Sequence, residues 1–116
     1  DGLDEITLSG TTFVAEASNG LVKTFEVEPG NFDLSAAPID HLRGGDPDAN
    51  AVIIREVFEG RRKDAARSLI VMNAAAALVV GEVTDDVRTA AHLAAKAIDS
   101  GAAWEKLELL KMATKA

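Results

Sequence analysis

Cysteine is absent from the 116 residues, which excludes a disulfide framework and a thiolate metal site. Histidine occurs only at 41 and 92, too few for a multi-histidine zinc centre or a serine–histidine relay with spare groups. Basic residues are outnumbered by acidic ones, 12 to 19, and the formal charge is -7. Nucleic-acid binders neutralise phosphates with a cationic surface, so this balance argues against nucleic acid as a partner. The longest basic cluster, Arg61-Arg62-Lys63, reads as a solvated turn between helices. Long apolar runs are also lacking. The longest, Leu69 to Val80, is broken by Asn73 and falls short of the roughly 20 residues of a membrane span. No signal-peptide pattern is visible, and the chain begins at Asp1 rather than methionine, so it is expected to be a piece of a longer protein.

What is present divides into a strand-rich N-terminal third and a helical remainder. Ile6 to Ser9 reads as a short strand, and Thr12 to Ala17 and Leu21 to Glu28 as two more. Asn19-Gly20 between the latter pair predicts a tight hairpin turn. A connecting loop follows, with a short helical turn near Ile39 to Leu42. Asp46 before Pro47 predicts a capped helix start, and Gly60 a stop. A second helix is expected from about Asp64 to Val80, ended by Gly81. Its second half is apolar almost all round, the pattern of a helix buried on every side. Thr84 with Asp85-Asp86 opens a third helix whose buried stripe is Val87, Ala90, Ala91, Ala94 and Ile98. A last helix carries Trp104, Leu107 and Leu110. A lone hairpin is a poor cover for so apolar a helix, so further strands of the same sheet are expected ahead of residue 1.

Three places invite chemistry. Asp4-Glu5 offers two carboxylates, the ligand type of a hard cation such as Mg²⁺. Neighbours on a regular strand point to opposite faces, so both reach metal only in a turn or by holding separate ions. Two solvated acids is the competing reading. Gly44-Gly45-Asp46 resembles a phosphate-cradling turn, but Asp46 at the helix start repels an anion, and a turn with a helix cap is the better reading. Asn73 must satisfy its amide within an apolar helix; a structural hydrogen bond to a neighbouring loop is expected. His92 lies off the apolar stripe and is expected to be exposed. His41 has no nucleophile or acid near it in sequence.

Asp1-Gly2-Leu3-Asp4-Glu5 leading to Leu8-Ser9-Gly10 resembles a motif of the anthranilate phosphoribosyltransferases. So do Phe25-Glu26-Val27 through Pro29 to Phe32 and Leu34, and Leu42-Arg43-Gly44-Gly45-Asp46 with Asn50-Ala51. Asn73-Ala74-Ala75-Ala76-Ala77-Leu78 and Ala97-Ile98-Asp99-Ser100-Gly101-Ala102-Ala103 with Leu107 complete the series in order.

The resemblance implies an α/β fold of the nucleoside phosphorylase/phosphoribosyltransferase type. Residues 1–116 would form the C-terminal part of its catalytic domain, a β-hairpin packed with about four helices beside a larger central sheet. It implies transfer of a phosphoribosyl group from phosphoribosyl pyrophosphate to anthranilate in tryptophan biosynthesis. It implies Mg²⁺ as cofactor, with Asp4 and Glu5 as its ligands, and no catalytic residue within this chain. The family's phosphate loop, its Lys-His-Gly-Asn segment and its anthranilate-contacting arginine have no match here, so the chain alone is expected to be inactive. The parent is expected to be cytoplasmic and homodimeric through a small helical domain outside this chain. The alternatives are a non-catalytic phosphoribosyltransferase-like binding protein and a stand-alone interaction domain.

Overall fold

An irregular segment, residues 1–11, opens the computed structural model, which describes residues 1–115. It leads into an antiparallel hairpin of β1 (Thr12–Ser18) and β2 (Leu21–Val27). Ser18 faces Leu21 across a two-residue turn in which Asn19 and Gly20 have φ of 52° and 75°. Positive φ at both central positions matches the strands' right-handed twist, which is why Asn-Gly sits there. Single turns of 3-10 helix at Pro29–Phe32 and Ile39–Leu42 then carry the chain to four helices. These are α1 (Pro47–Phe58), α2 (Ala65–Val80), α3 (Val87–Asp99) and α4 (Ala102–Thr114).

Three helices begin on an aspartate whose carboxylate accepts a hydrogen bond from a first-turn N–H. Asp46 accepts from Ala49, Asp64 from Ala66 and Asp86 from Thr89. Each bond satisfies a donor that the helix itself cannot. At Asp64, burial pushes the carboxyl up. The Arg62 hydrogen bond, the Ala66 N–H and the Arg62 charge together outweigh it and hold the group below its ordinary value. At Asp86 the Thr89 hydroxyl, at 2.6 Å, and then the Thr89 N–H do the same. A carboxyl with a lowered folded pKa contributes stability in full above its ordinary value of 3.8 and loses it as the pH falls through the folded value. Replacing both residues with alanine is therefore expected to destabilise the protein clearly at about pH 7 and progressively less as the pH falls below 3.8. Urea midpoints across that range check this; a pH-independent difference would contradict it.

The helix stops differ from one another. Gly60 takes φ 72° after α1, its N–H bonding Val57 O at 3.1 Å while the Arg61 N–H bonds Glu56 O at 2.9 Å. After α2 the same double bond forms one residue later than the glycine. Gly81 keeps φ -78°, and Glu82 takes the left-handed position at φ 57°. The N–H groups of Glu82 and Val83 reach Val79 O and Leu78 O, each at 3.0 Å. Left-handed backbone costs a side-chain-bearing residue about 1–2 kcal/mol. Glu82→Gly is expected to stabilise the full-length protein by about 0.5–1 kcal/mol, the relief being partly offset by unfolded-chain entropy, and Gly60→Ala to destabilise it by about 1 kcal/mol. Urea unfolding midpoints check both.

The core joins both halves of the chain. Leu8, Phe32, Val57, Val71, Met72, Ala75 and Ala90 are all within 1% of complete burial. Ala75 on α2 and Ala90, Ala91 and Ala94 on α3 belong to one cluster, and their small side chains let the two helices approach closely. The stripe expected on α3 is in place, with Val87 half-buried and its other members buried. The all-round burial expected for α2 is not. Val71, Met72 and Ala75 are buried, most other positions are half-buried, and Val80 is 84% exposed. The hairpin is anchored at its base, where Val27 is buried and Thr12 and Val14 are half-buried. Phe13, between Thr12 and Val14, is exposed, and the remaining length stands clear, leaving Leu21 and Val22 exposed. The described residues contain this one two-stranded sheet, which does not cover the outer face of α2.

Candidate metal-binding segment

Asp4 and Glu5 sit at a bend of the irregular N-terminal segment, and both are exposed. Ile6 to Ser9, expected as a strand, is not one. Its backbone groups are taken by partners other than a neighbouring strand. The Ile6 N–H donates to Asn73 Oδ1 at 3.0 Å, and Asn73 Nδ2 donates to Ile6 O at 2.9 Å. The Thr7 N–H donates to Thr12 Oγ1 at 3.2 Å, and Leu8 O accepts from the Ala37 N–H at 3.0 Å. Buried polar backbone must be paired, and here a side-chain amide, a hydroxyl and a loop do the pairing.

The segment is tied at three levels. Leu8 is fully buried in the core, and Thr7 beside it is 4% exposed. Asn73, half-buried on α2, holds Ile6 and donates a further bond to Leu69 O at 3.1 Å. Ser9 Oγ donates to Asp1 Oδ2 at 2.6 Å and lies 3.0 Å from Thr7 Oγ1, which also accepts from the Ser9 N–H at 3.0 Å. Asp1 and Ser9 thus close a loop with the acidic pair at its outer side. The hydroxyls of Thr7, Ser9 and Thr12 were not singled out from the sequence. Their clustering within six positions was the available signal.

The bend means that the opposition a pleated strand imposes on adjacent side chains does not apply to Asp4 and Glu5. Among the described residues no group of three or more acidic or histidine side chains gathers into a cage. Mg²⁺ at phosphate sites takes one or two carboxylates and fills its remaining positions with water and phosphate oxygens. Two exposed, hard oxygen donors fit that shared mode and not an all-protein site.

The other places singled out lead elsewhere. Asp46 caps α1, and Asn50 closes the glycine turn by accepting from the Gly45 N–H at 2.9 Å and donating to Gly45 O at 3.1 Å. A Cβ on Gly44 would collide with Asn50 Oδ1. The turn is therefore filled from within and presents no phosphate cradle. Arg61 pairs with Glu59, and Arg62 with Asp64 at 2.8 Å, in the link between α1 and α2. His41 is exposed on its 3-10 turn. His92 is exposed, with Nε2 3.7 Å from Asp33 Oδ2. Two surface hollows, one beside Phe13 and Phe25 and one among Gly60, Lys63 and Ser100, do not include the acidic pair. No helix among the described residues is long and apolar enough to cross a membrane.

Comparison with known proteins adds the context. A family model described as "Glycosyl transferase family, a/b domain" matches residues 1–104. An anthranilate phosphoribosyltransferase of Rhodopseudomonas palustris strain BisB5 is 51% identical over 116 residues, which is all of this chain and 34% of that protein. One from Rhodospirillum rubrum is 49% identical over 92% of this chain and 30% of its own length. The chain thus spans about a third of the curated relatives it matches. Among solved structures, the Thermus thermophilus anthranilate phosphoribosyltransferase superposes with a TM-score of 0.83 at 29% identity, over 93% of this chain and 32% of that one. The Saccharomyces cerevisiae enzyme in complex with 4-fluoroanthranilate gives 0.85 at 28% identity, over 92% and 31%. A variant of the yeast enzyme solved with Mg bound matches equally well.

Proposed function

The chain belongs to the glycosyl transferase family, a/b domain, and from that premise we propose that it is the C-terminal part of the catalytic domain of an anthranilate phosphoribosyltransferase. The observation that carries this reading is the exposed Asp4-Glu5 bend, tied back to α2 through Asn73, in a chain about half identical to proteins of that name. In the reaction, the anthranilate nitrogen forms a bond to C1 of the ribose. The bond from C1 to the diphosphate oxygen breaks, and the nitrogen loses a proton. Asp4 and Glu5 would hold Mg²⁺ for the diphosphate leaving group. The bound cation supplies neutralisation of the negative charge that grows on that leaving group. Both carboxylates act on binding and departure, not as the base. Proton removal and acceptor binding fall to residues outside this chain, as do the remaining phosphate contacts. Catalysis depends on bringing those groups together, so residues 1–116 alone are inactive.

The parent acts in tryptophan biosynthesis in the cytoplasm, as a homodimer formed through a domain outside this chain. Neither nucleic acid nor membrane is its partner. The full-length protein is expected to consume anthranilate, followed by its fluorescence, only when phosphoribosyl pyrophosphate and Mg²⁺ are both supplied, with release of one pyrophosphate per turnover. Persistent anthranilate fluorescence at saturating Mg²⁺ and phosphoribosyl pyrophosphate would sink this reading.

A further inference from the structure

We propose that Asn73 is a positioning residue for the acidic bend, fixing through its side-chain amide where Asp4 and Glu5 present their carboxylates to a divalent cation and its diphosphate ligand. The inference rests on the metal-holding reading of those two residues. The amide commits both of its ends to one residue. Its oxygen accepts from the Ile6 N–H at 3.0 Å and its nitrogen donates to Ile6 O at 2.9 Å, the two-point pairing that a neighbouring strand would otherwise provide. The second proton of the nitrogen goes to Leu69 O at 3.1 Å. A flipped amide would set its oxygen against two carbonyl oxygens and its nitrogen against an N–H, so the three partners admit a single orientation. All the amide's donors are then spent inside the protein, and none is left to touch a substrate.

The placement gives these bonds leverage. Asn73 stands on α2 directly after Val71 and Met72 and two residues before Ala75, which are exposed by 1%, 0% and 0%. The anchor is therefore attached to a helix turn held by the core. Ile6 follows Glu5 immediately, so the peptide unit that Asn73 grips begins where the acidic pair ends. On the other side, the Ser9–Asp1 bond closes the loop at an exposed position, where water competes for the same groups. Asn73 is thus the half-buried tie of the two, and an unpartnered amide or backbone group at this site would be costly. Releasing Ile6 frees the bend to sample orientations that separate the carboxylates. A cation bound by only two protein ligands tolerates that poorly. Residues that orient metal ligands typically account for about 10–100-fold in metal affinity.

The test uses the full-length enzyme with Mn²⁺ as the cation and inorganic pyrophosphate as the phosphate ligand. Free Mn²⁺ is read by electron paramagnetic resonance, and exchange of the Ile6 amide by hydrogen–deuterium exchange. Asn73→Ala is expected to weaken Mn²⁺ binding in the presence of pyrophosphate by about tenfold or more and to abolish protection of the Ile6 amide, at a temperature where the variant remains folded. Asp4→Asn and Glu5→Gln serve as references and are expected to weaken Mn²⁺ binding while leaving Ile6 protected. Lost Ile6 protection with unchanged Mn²⁺ affinity, while the two acidic variants still bind weakly, would overturn the positioning role and leave the metal reading standing. Unchanged affinity in the acidic variants would overturn the metal reading, and this inference with it. Should Asn73→Ala fail to fold, Asn73→Gln keeps an amide but displaces it by one methylene. It is expected to lower Mn²⁺ affinity in the same direction by a smaller factor, and an unchanged affinity there overturns the proposal equally.

Discussion

Exchanging Asp4 for Asn or Glu5 for Gln in the full-length enzyme is expected to lower kcat/KM for phosphoribosyl pyrophosphate by about 10²–10³-fold, the range seen when one group aimed at developing negative charge is removed. Each substitution keeps the shape of the side chain and removes its charge. Both positions are exposed, so folding stability should move by no more than about 0.5 kcal/mol. The losses should carry a signature. The Mg²⁺ concentration needed for half-maximal rate rises, while anthranilate binding, measured by fluorescence quenching without phosphoribosyl pyrophosphate, stays put. Loss of rate without a changed Mg²⁺ requirement would mean that the pair acts on something other than the cation. The double variant should fall little further than the worse single one if both side chains serve one ion, because removing either already dismantles the site. Independent, multiplying losses would indicate two separately held ions. Steady-state kinetics across a Mg²⁺ titration decides between these outcomes.

Phe32→Ala is expected to cost about 3–5 kcal/mol of stability, the loss typical of removing a buried phenylalanine ring. Phe32 is 1% exposed at the end of a single 3-10 turn, and it shares the core cluster with Leu8 and with the alanines of α3. Short 3-10 turns have little stability of their own, so the Pro29–Phe32 turn is held by what its side chain buries. The ring also lies in a part of the core that can collapse little, because the facing helix offers alanine side chains too short to fill a void. Urea unfolding of the full-length protein should show the loss as a lower midpoint at unchanged slope. A loss below about 1 kcal/mol would mean that the turn is held from outside the described core.

How much of this was legible depended on how far each residue's partner lay along the chain. Asp46 before Pro47, and Asp64 and Asp86 before their helices, bond N–H groups two or three residues on, and all three helix starts were readable. Asn19-Gly20 was readable for the same reason: its positive φ angles are a local property. The alanine stripe of α3 was readable because helical periodicity predicts a face without naming what it meets. Ile6 to Ser9 was misread. Its composition suits a strand, but its backbone partners are Thr12, Ala37 and a side chain on α2 that nothing nearby in sequence predicts. Gly81 ends α2 where the sequence placed the stop, while the left-handed position falls on the next residue, Glu82, which glycine placement does not predict. The acidic pair was visible as two carboxylates and ambiguous as a site. Its metal role came from the family resemblance, and the bend that Asn73 ties back shows only that the pair does not lie on a regular strand. That residue was expected to bind a loop, and it does, but which loop was beyond local reasoning.

That same amide has a consequence for the order in which the molecule can assemble. The clamp joins residues 67 positions apart. Closing a flexible loop of that length costs about 4 kcal/mol of chain entropy before its bonds return anything. The two hydrogen bonds across it, each worth roughly 1 kcal/mol net, cannot drive that closure by themselves. The acidic bend must wait for the docking of Leu8 and α2 into a common core, and it takes its working shape only as a late product of that collapse. During synthesis on the ribosome, the carboxylates emerge well before the helix that arranges them. A nascent chain therefore carries Asp4 and Glu5 before the bend that arranges them, and protection of the Ile6 amide should appear only once α2 has cleared the exit tunnel.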